Sequence, residues 1–384
     1  MSTDLDVDAL LADRSVRILV CCGAGGVGKT TTSAALALRA AETGRTVVVL
    51  TIDPARRLAQ SLGIEQLDNV PRRVDGVGSG GGSLDAMMLD MKRTFDEVVA
   101  SQSTPERAAK ILANPFYATL STSFGGTQEY MAMEKLGQLR ASAGESGRWD
   151  LIVVDTPPAR NALDFLDAPN RLSGFLDGPF IRLLLKPATG PARAMTAGVR
   201  LITATMSKVV GAQVLGDLQG FVQASDTLFG GFRARAEQTY ALLKDRETAF
   251  LVVTAPQPEP LREASYFISR LREDDMPLAG VIVNRASDAT AHGLSAEAAA
   301  TAADRLDDGD GLAPGLLRLH ERRLRIAARE AELREGFTAE HPSVAVRVVP
   351  ALSADVHDLT SLRRIGEHLA GCASHHPIER KIHA

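Results

Sequence analysis

The stretch Gly23-Ala24-Gly25-Gly26-Val27-Gly28-Lys29-Thr30 follows the apolar run Val16-Arg17-Ile18-Leu19-Val20-Cys21-Cys22 and precedes an alanine-rich helical pattern from Thr31 to Ala41. Strand, glycines and helix start, in that order, form the context that a phosphate-binding loop requires. Glycines let the backbone curl until successive N–H groups point inward at phosphate oxygens, beside the positive end of the helix. In this reading Gly25, Gly26, Val27, Gly28 and Thr31 line the phosphates. Lys29 neutralises the β and γ phosphates, and Thr30 ligates Mg²⁺.

Working outward, apolar β-branched runs recur at Arg17–Cys22, Thr46–Ile52, Leu84–Met91, Leu151–Asp155, Phe250–Thr254, Leu278–Asn284 and Val344–Val349, with helical patterns between them. Such uninterrupted runs belong to strands covered on both faces. The expectation is an α/β fold of P-loop NTPase type, a mostly parallel sheet of about seven strands with helices on both sides. The chain reads as one domain over 1–384. Two spacings exceed what a simple crossover needs, so insertions at about 92–148 and 160–247 are expected to form a helical subdomain.

Within the second insertion Met195, Val199, Ile202, Met206 and Val209 share a helical face. Met87, Met88, Met91, Met131 and Met133 add flexible apolar side chains near the first. A stripe at helical spacing is ordinarily core, but methionine-rich, weakly charged surfaces also suit varied hydrophobic clients. The glycine-rich segment Arg72 to Ser83 precedes no helix and reads as a mobile surface connection rather than a second phosphate loop. Leu317 to Glu335 reads as a charged amphipathic helix with a solvated basic face.

Bulk composition narrows the function classes. The chain has 384 residues, 43 of them basic and 47 acidic, for a formal charge of −4. That balance argues against a nucleic-acid-binding body. The acidic start Met1-Ser2-Thr3-Asp4-Leu5-Asp6 has the wrong charge for a signal peptide. No uncharged run reaches the ~18 residues that stable membrane insertion needs. Cys21 and Cys22 are adjacent on a strand and Cys372 lies in the tail, so a disulfide scaffold is excluded and a cytoplasmic location is expected. No Cys-x-x-Cys or Cys/His cluster points to structural zinc.

Two carboxylates end strands beside the loop. Leu151-Ile152-Val153-Val154 runs into Asp155, placed to hold Mg²⁺ through water. Val47-Val48-Val49-Leu50-Thr51-Ile52 runs into Asp53, placed to orient or deprotonate an attacking water. Capping of a helix that begins at Pro54 or Ala55 is the structural alternative for Asp53.

The set Gly25-Gly26-Val27-Gly28-Lys29-Thr30, Asp53-Pro54-Ala55 and Asp155-Thr156-Pro157-Pro158 resembles the deviant-loop ATPases of the arsenite-pump (ArsA) type, over nearly the whole chain. Gly126 to Lys135 and Arg160 to Leu166 resemble, more narrowly, one member of the paired ArsA-like ATPases of actinobacteria. The resemblance implies ATP and Mg²⁺ as cofactors and a dimer with ATP near its interface. It implies switch segments at Asp53–Leu58 and Asp155–Leu163, adenine recognition by Asn284, and a loop at Val349-Pro350 over the base. It also places the family's additional loop lysine, which reaches the partner's ATP, at Ala24. This chain cannot donate that charge, whose removal by analogy with arginine fingers is worth ~10³–10⁵ in rate. Arg56, Arg57 or Arg160 either replaces it or faces solvent.

The expected function is therefore a Mg-dependent ATPase that couples hydrolysis to dimer rearrangement and to a hydrophobic client, as a homodimer or, favoured, as half of a heterodimer with a lysine-bearing paralogue. A slow assembly subunit that needs that paralogue is the first alternative. A partition or division-site ATPase is the second, although the tail from Leu359 to Ala384 lacks a long apolar face for a membrane.

Overall fold

Alternate residues of β1 (Ile18–Gly23) enter opposite cores: Ile18, Val20 and Cys22 one, Leu19 and Cys21 the other. That alternation over an all-apolar strand is what a sheet covered on both faces produces. The computed structural model describes residues 4–53, 55–78, 80–115, 117, 127–157, 231, 234–287, 293–306 and 311–371.

Seven strands run parallel. They are β1, β2 (Thr46–Thr51), β4 (Ser83–Met88), β5 (Leu151–Asp155), β6 (Thr248–Thr254), β7 (Leu278–Ala286) and β8 (Val346–Pro350). An eighth, β3 (Arg72–Arg73), pairs antiparallel with β4 at the edge, giving the order β3-β4-β2-β5-β1-β6-β7-β8. The edge strand lies inside the segment expected to be a mobile loop. Two of its glycines are packed closely: a Cβ on Gly82 would lie 2.2 Å from the Ala41 carbonyl oxygen, and one on Gly80 1.9 Å from that of Glu42. The fourth strand ends at Met88, not Met91, because Asp90 accepts from the Arg93 N–H and caps the helix that Met91 begins.

Helices α1 (Val7–Ala12), α2 (Lys29–Glu42), α3 (Arg57–Leu62) and α11 (Leu359–Ala370) cover one face of the sheet. Facing the other are α4 (Met91–Gln102), α5 (Pro105–Leu112), α6 (Thr127–Ser146), α7 (234–244), α8 (Pro258–Glu273) and the C-terminal part of α10 (Leu312–Glu340). Between α8 and α10 lies α9 (Ala296–Arg305), packed chiefly on α10. Met131 and Met133 of α6 are fully buried core. The apolar face of α11, Leu362, Ile365 and Leu369, is spent against the core. The Met195–Val209 stripe, Arg160 and Cys372 lie outside the described residues. Among the described residues no helix is long and apolar enough to cross a membrane.

Arg45 fastens the end of the sheet away from the strand tips. Its side chain is 2 % exposed, donates to the carbonyls of Leu11, Asp13, Val16 and Asp150, and meets the Asp150 carboxylate at 3.2 Å. Removing one partner of such a buried set leaves the others unsatisfied. Arg45→Ala is expected to lower unfolding stability by about 3–5 kcal/mol, read as a fall in the urea midpoint. Nucleotide affinity of the folded fraction should be unchanged, because the glycine loop lies at the other end of β1.

Candidate active site

The strand β1 delivers the chain at Gly23 into a turn that only glycine permits. Gly23 has φ +141°, and a Cβ there would sit 2.0 Å from the Val253 carbonyl oxygen of the neighbouring strand. Gly26 and Gly28 are left-handed, at φ +76° and +93°. Gly28 is the N-cap of α2 and gives no side-chain cap hydrogen bond, so the first N–H groups of a 14-residue helix remain open. An uncapped N-terminus at a glycine turn attracts anions through those N–H groups and the helix dipole.

Lys29 folds back under this loop. It is 7 % exposed, and its Nζ donates to the carbonyls of Gly23 (3.0 Å) and Ala24 (2.8 Å). Burial lowers its pKa, and the charge of Asp155 is the largest opposing influence. Asp155 is fully buried at the tip of β5. The Thr51 hydroxyl donates to its Oδ2 at 2.8 Å, while Oδ1 has no hydrogen-bond partner. Desolvation pushes its pKa up to about 6, against the lowering effects of the Thr30 and Thr51 hydroxyls. An orphaned buried carboxylate oxygen beside a threonine hydroxyl is an oxygen donor set that suits a hard cation. Thr30 and Asp155 therefore fit Mg²⁺.

Asp53 stands at the end of β2 with its side chain 16 % exposed. Its Oδ1 accepts from the Ala55 N–H at 2.9 Å, and Arg57 of α3 approaches Oδ2 at 3.7 Å. The helix here starts at Arg57 with Arg56 as its N-cap residue, so Asp53 orders the approach to α3 without capping it. Arg57 is 65 % exposed, at the mouth of the site. Pro54 lies outside the described residues, as does the second switch beyond Pro157.

Asn284 and its neighbour brace the loop from β7. The Asn284 Nδ2 donates to the Val27 carbonyl at 2.8 Å and lies 2.4 Å from where a Cβ on Gly28 would be. The resemblance implies a base-recognition role for Asn284, with a turn former as the alternative; in the structure its amide braces the loop. Arg285, which sequence reading missed, donates to the Gly26 carbonyl at 3.0 Å from a left-handed backbone (φ +58°). A non-glycine residue held there signals a constrained position, a signal invisible in sequence. Gly28, Thr31, Asn284, Arg285, Pro350 and Val356 are among the residues lining one cavity of 960 Å³. Pro350 is set by pairing with Ala286, and Ala351 donates to the Ala286 carbonyl. The cavity opens where α2 begins, and its volume is that of sites for nucleotide-sized ligands.

Ala24 is 4 % exposed and packs in the core cluster. Both thiols beside it are inert: burial pushes Cys21 and Cys22 up to about 12. Among the described residues no group of His, Cys, Asp and Glu could hold a metal by itself. The cation site above depends on a hydroxyl and on whatever else occupies the loop.

Comparison with known proteins follows the same line. The family model for anion-transporting ATPases matches residues 16–301. The ATPase GET3 of Podospora anserina is 26 % identical over 73 % of this chain and 76 % of its own length. The ATPase BagA of Mycobacterium tuberculosis is 25 % identical over 79 % of this chain and 74 % of its own. The ATPase ARSA1 of Chlamydomonas reinhardtii is 26 % identical over 72 % of this chain and 36 % of its own.

Two measurements test the geometry. The raised pKa of Asp155 means that the folded, metal-free chain holds this proton more tightly than the unfolded chain, so ionising Asp155 subtracts stability as pH rises from about 4 through about 6. Asp155→Asn should remove that loss, and its urea midpoint at pH 7.5 without metal or nucleotide should correspond to about 2–3 kcal/mol more stability than the wild type. At about pH 3, below the ordinary aspartate value, the two should nearly coincide. Arg285→Ala removes a charge-assisted bond from the loop and should weaken nucleotide binding about tenfold, read by titration of a fluorescent nucleotide.

Proposed function

Because the chain belongs to the anion-transporting ATPase family, we propose that it hydrolyses ATP with Mg²⁺ at the loop of residues 23–31 and uses the cycle to rearrange a dimer that handles a hydrophobic client. It is an ATP hydrolase of the ArsA type. The observation that carries the finer reading is the juxtaposition of buried Lys29, the orphaned Asp155 oxygen and the open N-terminus of α2.

Binding begins with the N–H groups of Gly25 to Thr31, which take the phosphate oxygens, while Lys29 turns part of its donation from loop carbonyls to the terminal phosphates. Thr30, and Asp155 through water, would hold Mg²⁺, which would supply charge neutralisation at the terminal phosphates. Asp53 orients the attacking water. With Oδ1 on the Ala55 N–H and Arg57 near Oδ2, its carboxylate is held in one direction, which suits alignment better than proton removal. The base lies in the cavity between Asn284 and Pro350, so one ligand would touch the ends of β1, β7 and β8.

The missing lysine shapes the proposal about partners. Ala24 contributes no cation to a second copy, and its burial leaves no room for a longer side chain unless the loop moves. A lysine-bearing relative in a heterodimer would complete this chain's site. A cytoplasmic location fits this reading. The alternative is a nucleotide-binding assembly subunit, slow or inactive alone, that needs the lysine-bearing relative. A partition or division-site role is less well supported, since the apolar face of α11 is buried.

Steady-state hydrolysis of ATP by the purified chain, with and without Mg²⁺, tests the activity. Asp53→Asn should lower kcat by about 10²–10⁴-fold while ATP binding by equilibrium dialysis persists. A variant with undiminished kcat removes Asp53 from the mechanism. Addition of a lysine-bearing relative should accelerate the wild type, by up to about 10³-fold, and native mass spectrometry with ATP should show the mixed dimer. Equal rates with and without that relative would sink the heterodimer.

A further inference from the structure

Six of the ten large apolar side chains that stand exposed among the described residues belong to one hairpin: Leu294, Leu306, Leu312, Leu316, Leu319 and Ile326, on or beside α9 and the first half of α10. Monomer surfaces scatter such residues singly, and a concentration of them marks a contact surface. The last four are also ordered. Leu312, Leu316, Leu319, Arg323 and Ile326 follow alternating steps of four and three along the helix, and Leu312 is 87 %, Leu316 63 % and Leu319 54 % exposed. Steps of four and three keep one line of side chains facing a partner helix over several turns. Pro314, Leu317 and Leu324, on another side of α10, are buried or half-buried. The line is therefore separate from the side by which α10 is seated.

Charge identifies the partner. Residues 312–329 contain five arginines and a single acid, Glu321. Glu321 is engaged by Arg325 at 2.8 Å, and the next acid along, Glu330, receives the N–H and hydroxyl of Ser287. Arg322, Arg323 and Arg329 are all exposed; Arg322 and Arg329 flank the line and Arg323 interrupts it. A second copy in parallel register would set Arg323 against its own image, and an antiparallel one would set the Arg322 and Arg329 rows against each other. A lipid surface would force Arg323 into the acyl layer, since it stands within the apolar line itself.

We propose that this line on α10 docks an amphipathic helix of a partner protein, apolar at its own a and d positions save for an acid facing Arg323, and acidic at the flanking e and g positions. The leucines give the contact its area, and the arginines select the partner and its register. This surface is far along the chain from the insertions proposed for a client and does not rest on the ATPase reading.

The test uses the full chain and two designed helical peptides with the same leucine seam, one with glutamates and one with lysines at the flanks, followed by fluorescence anisotropy. The acidic peptide should bind saturably, at least about tenfold more tightly than the basic one. Leu316→Asp with Leu319→Asp should abolish that binding while ATP hydrolysis persists, which shows that the variant folds. Arg322→Glu with Arg329→Glu should reverse the preference toward the basic peptide. Equal binding of both peptides, or binding indifferent to the leucine variant, overturns the proposal. So does leucine-dependent flotation with vesicles of phosphatidylglycerol and phosphatidylcholine, or leucine-dependent dimerisation in sedimentation without peptide.

Discussion

Two opposite charges, Lys29 and Asp155, are buried together at the tips of the central strands, and neither is fully answered by the protein. Lysine is reduced to two backbone carbonyls, and one aspartate oxygen has no partner. Burying a charge is tolerable only when it is paired and hydrogen-bonded. A site that holds an incompletely paired set has its missing components specified: an anion for the lysine and the helix terminus, a cation for the carboxylate. A nucleotide with a bound metal would supply both. The same incompleteness explains the raised pKa of Asp155, because the medium that disfavours its charge is the medium that would strengthen its bond to a metal.

The rest of the fold serves that arrangement. A parallel sheet brings the C-terminal ends of β1, β2, β5, β6 and β7 to one rim, where strand order rather than sequence order decides the neighbours. Asp53 and Asp155 thus converge on the glycine loop from strands one and four places after β1 in the chain. The opposite rim holds a buried cation of another kind. There Arg45 is satisfied by four carbonyls and a carboxylate, which makes it a fastening rather than a site.

Legibility in the sequence followed the strength of the local pattern. The glycine loop, its strand and its helix were readable because conformation there is dictated by residue type: left-handed positions at Gly26 and Gly28, then alanines that favour helix. Asp53 and Asp155 were readable as strand ends because apolar runs stop at them. A two-residue strand such as Arg72–Arg73 has no periodicity to detect, and its place comes from pairing with β4. Gly80 and Gly82 looked like flexible spacers, whereas the close approach of the α2 end demands them. The loop-bracing roles of Asn284 and Arg285 depend on contacts that no short-range pattern announces.

Those contacts also bear on how the molecule is made. Val27 and Asn284 are 257 residues apart. At a synthesis rate of about 5–20 residues per second, roughly 13–50 s separate the emergence of the loop from that of its brace. Strand β1 waits as well, since its neighbours β5 and β6 both come later. For that interval the nascent chain carries a glycine turn without its brace, so the phosphate grip becomes native only after β7 has emerged. A ribosome-bound fragment that stops before β7 holds the whole motif in its sequence and lacks the brace that sets it.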